Sequence, residues 1–536
     1  MGKELTIIIF FLWSLQALRQ ALNWIYWWQT KEYRFDRFGL LLTSKEGRKN
    51  LEINLIGAKF ITIFLSLFLG LDWAMSILLI WLSLKFLNEV VSHRIRKPVL
   101  TLRGVEVLAT TLLGVILAVW IGYQSGNVAA SVALGEVLIL ALPVVGVLWT
   151  TILVEQSKEK IIKKAKARLS IVKPFVIGVT GSFGKTTTKD FIAHLLSQKY
   201  KTEKTLANQN TDWGIARKAA DLAKDTEIFV VEMGAYKKGE IKKVTEFVKP
   251  NLAVVTGIEP QHLALFGSLQ NIKEAKYELI QALPKNGEAV FNGNNIGCIE
   301  MFEWAKKDAK KASLYEVLEN ANPQKNTELT ISATKLSGIG STIVIKHGGT
   351  KKTVQTALPG KYLLQNLGAA VLIARKLDVD WRSILAGIKT LEVPGKALRR
   401  HNLPSGGTVI DDSYNSTPHA FLAALDYLSL FKNKKVVFTP GIIELGSLSS
   451  EVHEEVGKNL AKTADIVVLT NSDFEDSIKK GLGGSVDKLR VITDPQKIAQ
   501  KLEGFLRQNC TILLEGRMPG AVNKQVADEL AKGVKR

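Results

Sequence analysis

Five stretches of the first 154 residues, roughly 5–27, 57–72, 74–91, 105–123 and 128–154, approach the length and apolarity needed to cross a bilayer. Hydrocarbon offers no hydrogen-bond partners, so a segment immersed in it must satisfy its own backbone, and for apolar runs of this length the α-helix does so. Residues 1–155 are therefore expected to form a helical membrane domain of four to five spans. The first stretch is imperfect, because Gln16 and Arg19 interrupt it ahead of Trp24, Tyr26, Trp27 and Trp28, a cluster that suits the headgroup region equally well. It is followed by aromatics and charge, with no small-residue cleavage site, which argues against a removable leader.

Gly70-Leu71-Asp72 and Gln124-Ser125-Gly126-Asn127 read as the tips of two hairpins, and neither tip carries Lys or Arg. Basic residues gather instead in 29–56 (Lys31, Arg34, Arg37, Lys45, Arg48, Lys49) and 92–104 (Arg94, Arg96, Lys97, Arg103). The excess of positive charge on cytoplasmic loops then makes this a multi-pass protein of the cell membrane, with everything after residue 155 in the cytoplasm. Residues 156–172 form a basic juxtamembrane linker, read either as a solvated helix face or as a contact with the inner leaflet.

The whole chain has 71 Lys+Arg against 50 Asp+Glu, a net charge of +21 that suits anionic lipid, phosphate or nucleic acid. No nucleic-acid partner is expected, since neither helicase-like patterns nor basic–aromatic interleaving follow the membrane end. Cys298 and Cys510 are the only cysteines, too few for a disulfide framework or a cysteine-rich zinc site.

After Lys173-Pro174 the pattern changes. Phe175–Val179 is a short apolar run of strand type, TGSFGKTTT (180–188) follows it, and Lys189–Gln198 reads as a helix. Strand, glycine turn and helix in that order cradle phosphate on backbone N–H groups. Gly181, Ser182, Phe183, Gly184, Lys185, Thr186 and Thr187 are the expected nucleotide contacts, with Lys185 reaching the β/γ-phosphates and Thr186 holding magnesium. A strict Walker A would have glycine at 179, where this chain has valine. Glu232 ends the apolar run Ile228–Val231, where open α/β sheets place ligands, and is a candidate for the magnesium shell. A third strand, Leu252–Thr256, leads into GIEPQHLALFGS (257–268) with His262.

These pieces, with ANQNTDWG (207–214), VVEMGA (230–235), AKYELI (275–280), FNGNN (291–295), Leu358 to Asn366, VPGK (393–396), DDSYNSTP (411–418) and IELG (443–446), resemble the Mur ligase family. DDSYNSTP and VVEMGA point to its MurF-type branch, which adds D-alanyl-D-alanine to a peptidoglycan precursor peptide. The resemblance covers about residues 173–520. It implies that Lys185, His262 and Lys276 serve catalysis, and that Thr186, Glu232, His262 and Lys276, the last as a carbamate, hold magnesium. It further implies adenosine-side contacts from Asn295 and Asn366, a nucleotide contact from Lys396, a ribose-side carboxylate in Asp411, and an acyl-acceptor border formed by Asn208, Asn210 and Thr211. The sequence departs from the family at Lys396 (usually arginine), Tyr362-Leu363, Ala216 and Pro440-Gly441.

The fold so implied is an α-helical membrane domain followed by α/β: a P-loop parallel-sheet ATP-binding domain over 173–395 and a smaller α/β domain over 396–536. The family's small uridine-nucleotide-binding domain has no counterpart, and membrane helices stand in its place. The activity implied is ATP-dependent, ADP-forming amide synthesis with ATP and Mg2+, joining an amino acid or dipeptide to a cell-wall precursor peptide, with inner-leaflet lipid as a partner. A lipid-linked substrate is one reading. A different amide polymer or surface peptide, and a non-enzymatic nucleotide-binding membrane protein, are the alternatives.

Overall fold

The computed structural model describes residues 3–43, 45–92, 95–206, 209–260, 263–318, 323–324, 326–393, 398–413, 416–443 and 445–534. The chain divides into two compact units, Met1–Lys160 and Ile161–Arg536.

The first unit is helical: α1 (Lys3–Thr30), α2 (Phe35–Thr43), α3 (Lys45–Asn50), α4 (Ile53–Leu69), α5 (Asp72–Val91), α6 (Leu102–Ser125) and the part of α7 (Val128–Val172) up to Lys160. Three of these, α5, α6 and α7, are long and apolar enough to cross a membrane. That is fewer than the four to five spans expected. With 17 residues, α4 is about 25 Å long, short of the ~30 Å hydrocarbon core. In α1, Gln16, Arg19 and Gln20 break the apolar run, yet Trp13, Ala17, Ala21, Ile25 and Trp28 form a fully buried stripe, and the helix packs on α5 and α6. One face of α1 is thus packed inside the bundle.

Both hairpin tips close on glycine in the left-handed region, Gly70 at φ +65° and Gly126 at φ +68°, where a side chain would be strained. Small residues let helices approach closely: a Cβ on Gly135 would fall 2.2 Å from Trp13, and one on Gly122 1.9 Å from Ser131. The bundle is apolar outside and partly polar inside. Phe64, Phe68, Trp73, Trp81, Ile116 and Trp120 are exposed, whereas Lys59 and Glu136 are buried and paired at 2.9 Å. The Lys59 ammonium also donates to Gln20 Oε1 (2.6 Å), and the Trp13 indole N–H donates to Glu136 Oε1 (3.0 Å). Arg19 forks onto Glu52 and Glu89, joining α1 to the start of α4 and the end of α5.

Residues 156–172, expected as a linker, are the last turns of α7. Within the second unit, Ile161, Ile162, Ala165 and Leu169 pack into a hydrophobic core, and the Arg168 guanidinium donates to the Leu222 carbonyl (2.7 Å).

The second unit holds two sheets. The larger comprises β1 (Phe175–Thr180), β2 (Thr202–Lys204), β3 (Ile228–Glu232), β4 (Leu252–Val255), β5 (Glu288–Asn292), β6 (Lys311–Leu318), β7 (Thr327–Ser337), β8 (Gly340–His347) and β9 (Thr350–Thr356). Their spatial order is β2-β3-β1-β4-β5-β6-β7-β8-β9, parallel through β7, with β8 and β9 added antiparallel. The central strands β3 and β4 are buried throughout and apolar but for Glu232 at the end of β3, as befits strands covered on both faces. The smaller sheet comprises β10 (Arg399–Asn402), β11 (Thr408–Asp412), β12 (Lys434–Thr439), β13 (Ile466–Leu469), β14 (Leu489–Val491) and β15 (Cys510–Glu515), in the order β10-β11-β15-β12-β13-β14. Only β10 runs antiparallel there. Both cysteines are free and buried.

Candidate active site

Between β3 and β4 lies β1, so the chain leaves this strand toward both sides of the sheet and opens a crevice at its C-terminal end. The loop 181–184 fills that position and passes into α8 (Lys185–Leu196). Two glycines are required by contact as well as by backbone. Gly181 (φ +152°) would place a Cβ 2.0 Å from Thr256 Oγ1, and Gly184 (φ +72°) would place one 2.5 Å from Asn366 Oδ1. Ser182 is pinned to the segment after β4, its N–H donating to the Gly257 carbonyl (2.7 Å) and its hydroxyl to the Glu259 carbonyl (3.0 Å). The N-terminus of α8 points its unpaired N–H groups and positive dipole end at the loop.

Lys185 folds back, its ammonium donating to the carbonyls of Gly181 (2.8 Å) and Ser182 (3.2 Å), and burial holds its pKa below the usual lysine value. Thr186 follows in the first turn of α8, partly exposed, and Thr187 is buried. Asn366 accepts from the Thr188 hydroxyl (3.0 Å), while its own Nδ2 is buried without a partner among the described residues. Glu232, at the end of β3, is 2% exposed and engaged at both oxygens, by Lys189 Nζ (3.2 Å) and by Asn210 Nδ2 (3.2 Å). Lys276 enters from the helix Leu269–Gln281 and donates to the Gly181 carbonyl (3.0 Å), with no acidic partner among the described residues. Burial, and then the Lys185 charge, push its pKa well below the ordinary lysine value.

The structure thus gathers Gly181, Ser182, Gly184, Lys185, Lys276, Glu232, Asn210 and Asn366 about one loop. Other expected residues stand apart or are otherwise engaged. Thr211 caps the helix Asp212–Ala220. The Asn295 side-chain Oδ1 accepts from the N–H groups of Cys298 (3.0 Å) and Ile258 (3.0 Å), as the cap of the helix Ile296–Lys307. Asp411 lies at the end of β11 in the smaller sheet and accepts from the Ser413 N–H (3.0 Å). Asn208, His262 and Lys396 lie outside the described residues.

Sequence reasoning missed five participants. Lys189 is the partner of Glu232. His419, at the start of the helix Pro418–Ser429, stacks its ring on Phe183 (centroids 4.5 Å apart), and its backbone N–H donates to Glu259 Oε2 (3.2 Å). Burial raises the Glu259 carboxyl to about 7 and lowers the His419 imidazole. Glu259 and His419 are 160 positions apart, so no local pattern could pair them. Asp412 and Glu515 stand side by side at the ends of β11 and β15, both buried; burial raises both carboxyls, Asp412 to about 7, with the Asp411 charge adding to the rise at Asp412 and the Asp412 charge to that at Glu515.

The donor set fits a nucleoside triphosphate: open backbone N–H groups, Lys185 and the orphaned amide of Asn366 all face the loop. The Thr186 hydroxyl and the Glu232 carboxylate are hard oxygen donors of the kind magnesium takes.

Residues 179–374 match the Mur ligase middle domain and residues 398–518 the Mur ligase glutamate ligase domain. A UDP-N-acetylmuramoyl-tripeptide–D-alanyl-D-alanine ligase of Bacillus subtilis (strain 168) is 30% identical over 344 residues, covering 63% of this chain and 72% of the relative. The chain belongs to the Mur ligase family. The enzyme of the same name from Escherichia coli (strain K12) is 28% identical over 356 residues, 66% of this chain and 76% of that one. Among solved structures, MurF from Acinetobacter baumannii superposes with a TM-score of 0.61 at 25% identity, covering 70% of this chain and 80% of that one. MurF from Thermotoga maritima in complex with ADP gives 0.59 at 25% identity, covering 71% and 84%. This Mur ligase is an ATP-dependent, ADP-forming peptide ligase that uses magnesium.

Proposed function

We propose that this Mur ligase adds D-alanyl-D-alanine, or a related amino acid or dipeptide, to a cell-wall precursor peptide at the cytoplasmic face of the membrane, and that the acyl substrate is carried on a membrane lipid diphosphate. The observation that carries this reading is the joining, in one chain, of a helical unit holding three membrane-length apolar helices to an ATP site of MurF type. Residues 1–155 serve as the membrane domain, 156–172 as the juxtamembrane segment, 173–395 as the ATP-binding domain and 396–536 as the domain that completes the site. Confinement to the membrane raises the effective concentration of a lipid-linked substrate without a nucleotide-gripping domain.

In this mechanism the loop N–H groups and Lys185 bind the β- and γ-phosphates. Lys185 turns outward from the Gly181 and Ser182 carbonyls to meet charge that develops on the transferred phosphoryl group. Magnesium, when bound, neutralises phosphate charge and aligns the displacement. Thr186, Glu232, His262 and Lys276 would hold it. Asn366 offers its free amide to the nucleotide, and Asn208, Asn210 and Thr211 border the acyl substrate. Attack of the substrate carboxylate on the γ-phosphorus gives an acyl phosphate and ADP. Attack of the amine on the acyl carbon then forms the amide and releases phosphate.

The test is ADP release by the full-length enzyme in lipid nanodiscs, with D-alanyl-D-alanine and either lipid-linked or uridine-linked precursor peptide. At least tenfold higher kcat/KM on the lipid-linked peptide is expected. Equal use of the soluble substrate would remove the lipid from the proposal, and ADP release indifferent to the dipeptide would remove the dipeptide.

A further inference from the structure

The helix after the phosphate loop carries two lysines with different surroundings. Lys185, at its start, faces backbone carbonyls. Lys189, one turn on, is fully buried and its ammonium meets two carboxylates, Glu232 Oε2 at 3.2 Å and Asp190 Oδ1 at 3.7 Å. A buried ammonium persists only when paired. Glu232 is occupied in turn: Asn210 donates to its second oxygen (3.2 Å), and the Thr205 hydroxyl accepts from its backbone N–H (3.0 Å). Asp190 is not free either, since Lys204 lies 2.9 Å from it.

A bare dication approaching Glu232 therefore meets a cation already seated on its ligand, with Lys185 close enough to feel the same carboxylate. A triphosphate reverses that balance, because it brings several negative charges to the loop beside α8. We propose that Lys189 is a positioning residue, a resident counter-ion that holds Glu232 aimed and neutralised until a divalent cation arrives with nucleotide phosphates. It then yields the carboxylate by pivoting to Asp190. This inference rests on the reading of Glu232 as a magnesium ligand. A lysine that only ties α8 to β3 would lower stability when removed. A counter-ion predicts something different, a gain of metal binding.

Manganese serves as the probe, since it takes the same oxygen ligands as magnesium and is read by the loss of its free electron-paramagnetic signal. It is titrated into full-length wild type, Lys189→Met, Lys189→Arg, Glu232→Gln and the Lys189→Met/Glu232→Gln double variant, without nucleotide and with a non-hydrolysable ATP analogue. Wild type and Lys189→Arg should bind manganese weakly without the analogue. Lys189→Met should bind it at least tenfold more tightly than wild type in the same condition, and the double variant should lose that gain. Equal nucleotide-free affinity in wild type and folded Lys189→Met overturns the proposal. If Lys189→Met does not fold, wild type still decides: tight nucleotide-free binding that Glu232→Gln abolishes overturns the proposal, and weak binding that the analogue strengthens through Glu232 supports it. If Glu232→Gln leaves manganese affinity with the analogue unchanged, the ligand reading itself fails, and the counter-ion role with it.

Discussion

Lys276 sits within 3.0 Å of a phosphate-loop carbonyl, in a place where an ammonium gains little. Burial and the neighbouring Lys185 favour its neutral amine, the form that adds carbon dioxide. A carbamate there would replace a would-be cation with oxygen ligands for magnesium. Activity should fall when carbon dioxide is stripped from the buffer and return with bicarbonate. Lys276→Ala should be inactive and partly rescued by formate or acetate. Indifference to bicarbonate, together with a crystal structure at saturating magnesium showing a bare ammonium, would refute this. The strand, turn and helix that carry Lys185 and Thr186, and the strand that ends at Glu232, were legible in the sequence because each is a local pattern. The partners of Asn366 and Glu259 were not, because Thr188 and His419 reach them across 178 and 160 positions.

Helices and strands were legible to different degrees for a related reason. Uniform hydropathy marks α5, α6 and the apolar part of α7, whereas α1 and α4 carry the polar groups that the bundle pairs within itself. The antiparallel strands β8 and β9 went unread, although Gly348-Gly349, both at positive φ, mark their turn. The Lys59–Glu136 pair supplies the prediction at this scale. Removing one partner strands a buried charge, so Lys59→Met should destabilise the bundle by about 3–5 kcal/mol. Adding Glu136→Leu should recover most of that loss. Thermal unfolding in detergent, followed by tryptophan fluorescence, measures both, and single and double variants that melt together would dismiss the pair as incidental.

For the molecule as a whole, the governing pattern is the separation of apolar surface from charge along the chain. The basic segments 29–56 and 92–104 alternate with tips that lack Lys and Arg, which sets the expected topology. In intact cells a membrane-impermeant maleimide should label Ser125→Cys, at the exposed end of α6, and spare Ser157→Cys. Labelling of position 157 but not 125 would invert the arrangement and place the ATP site where no ATP is supplied.

That mapping has an unplanned convenience. Burial raises the pKa of both Cys298 and Cys510, so neither offers an accessible thiolate. The folded native chain should therefore react little with sulfur-directed reagents, which a thiol titration of the wild type checks. Single spin labels or fluorophores can be installed on otherwise unaltered protein, and distances across the phosphate loop can be followed through a catalytic cycle against a dark background.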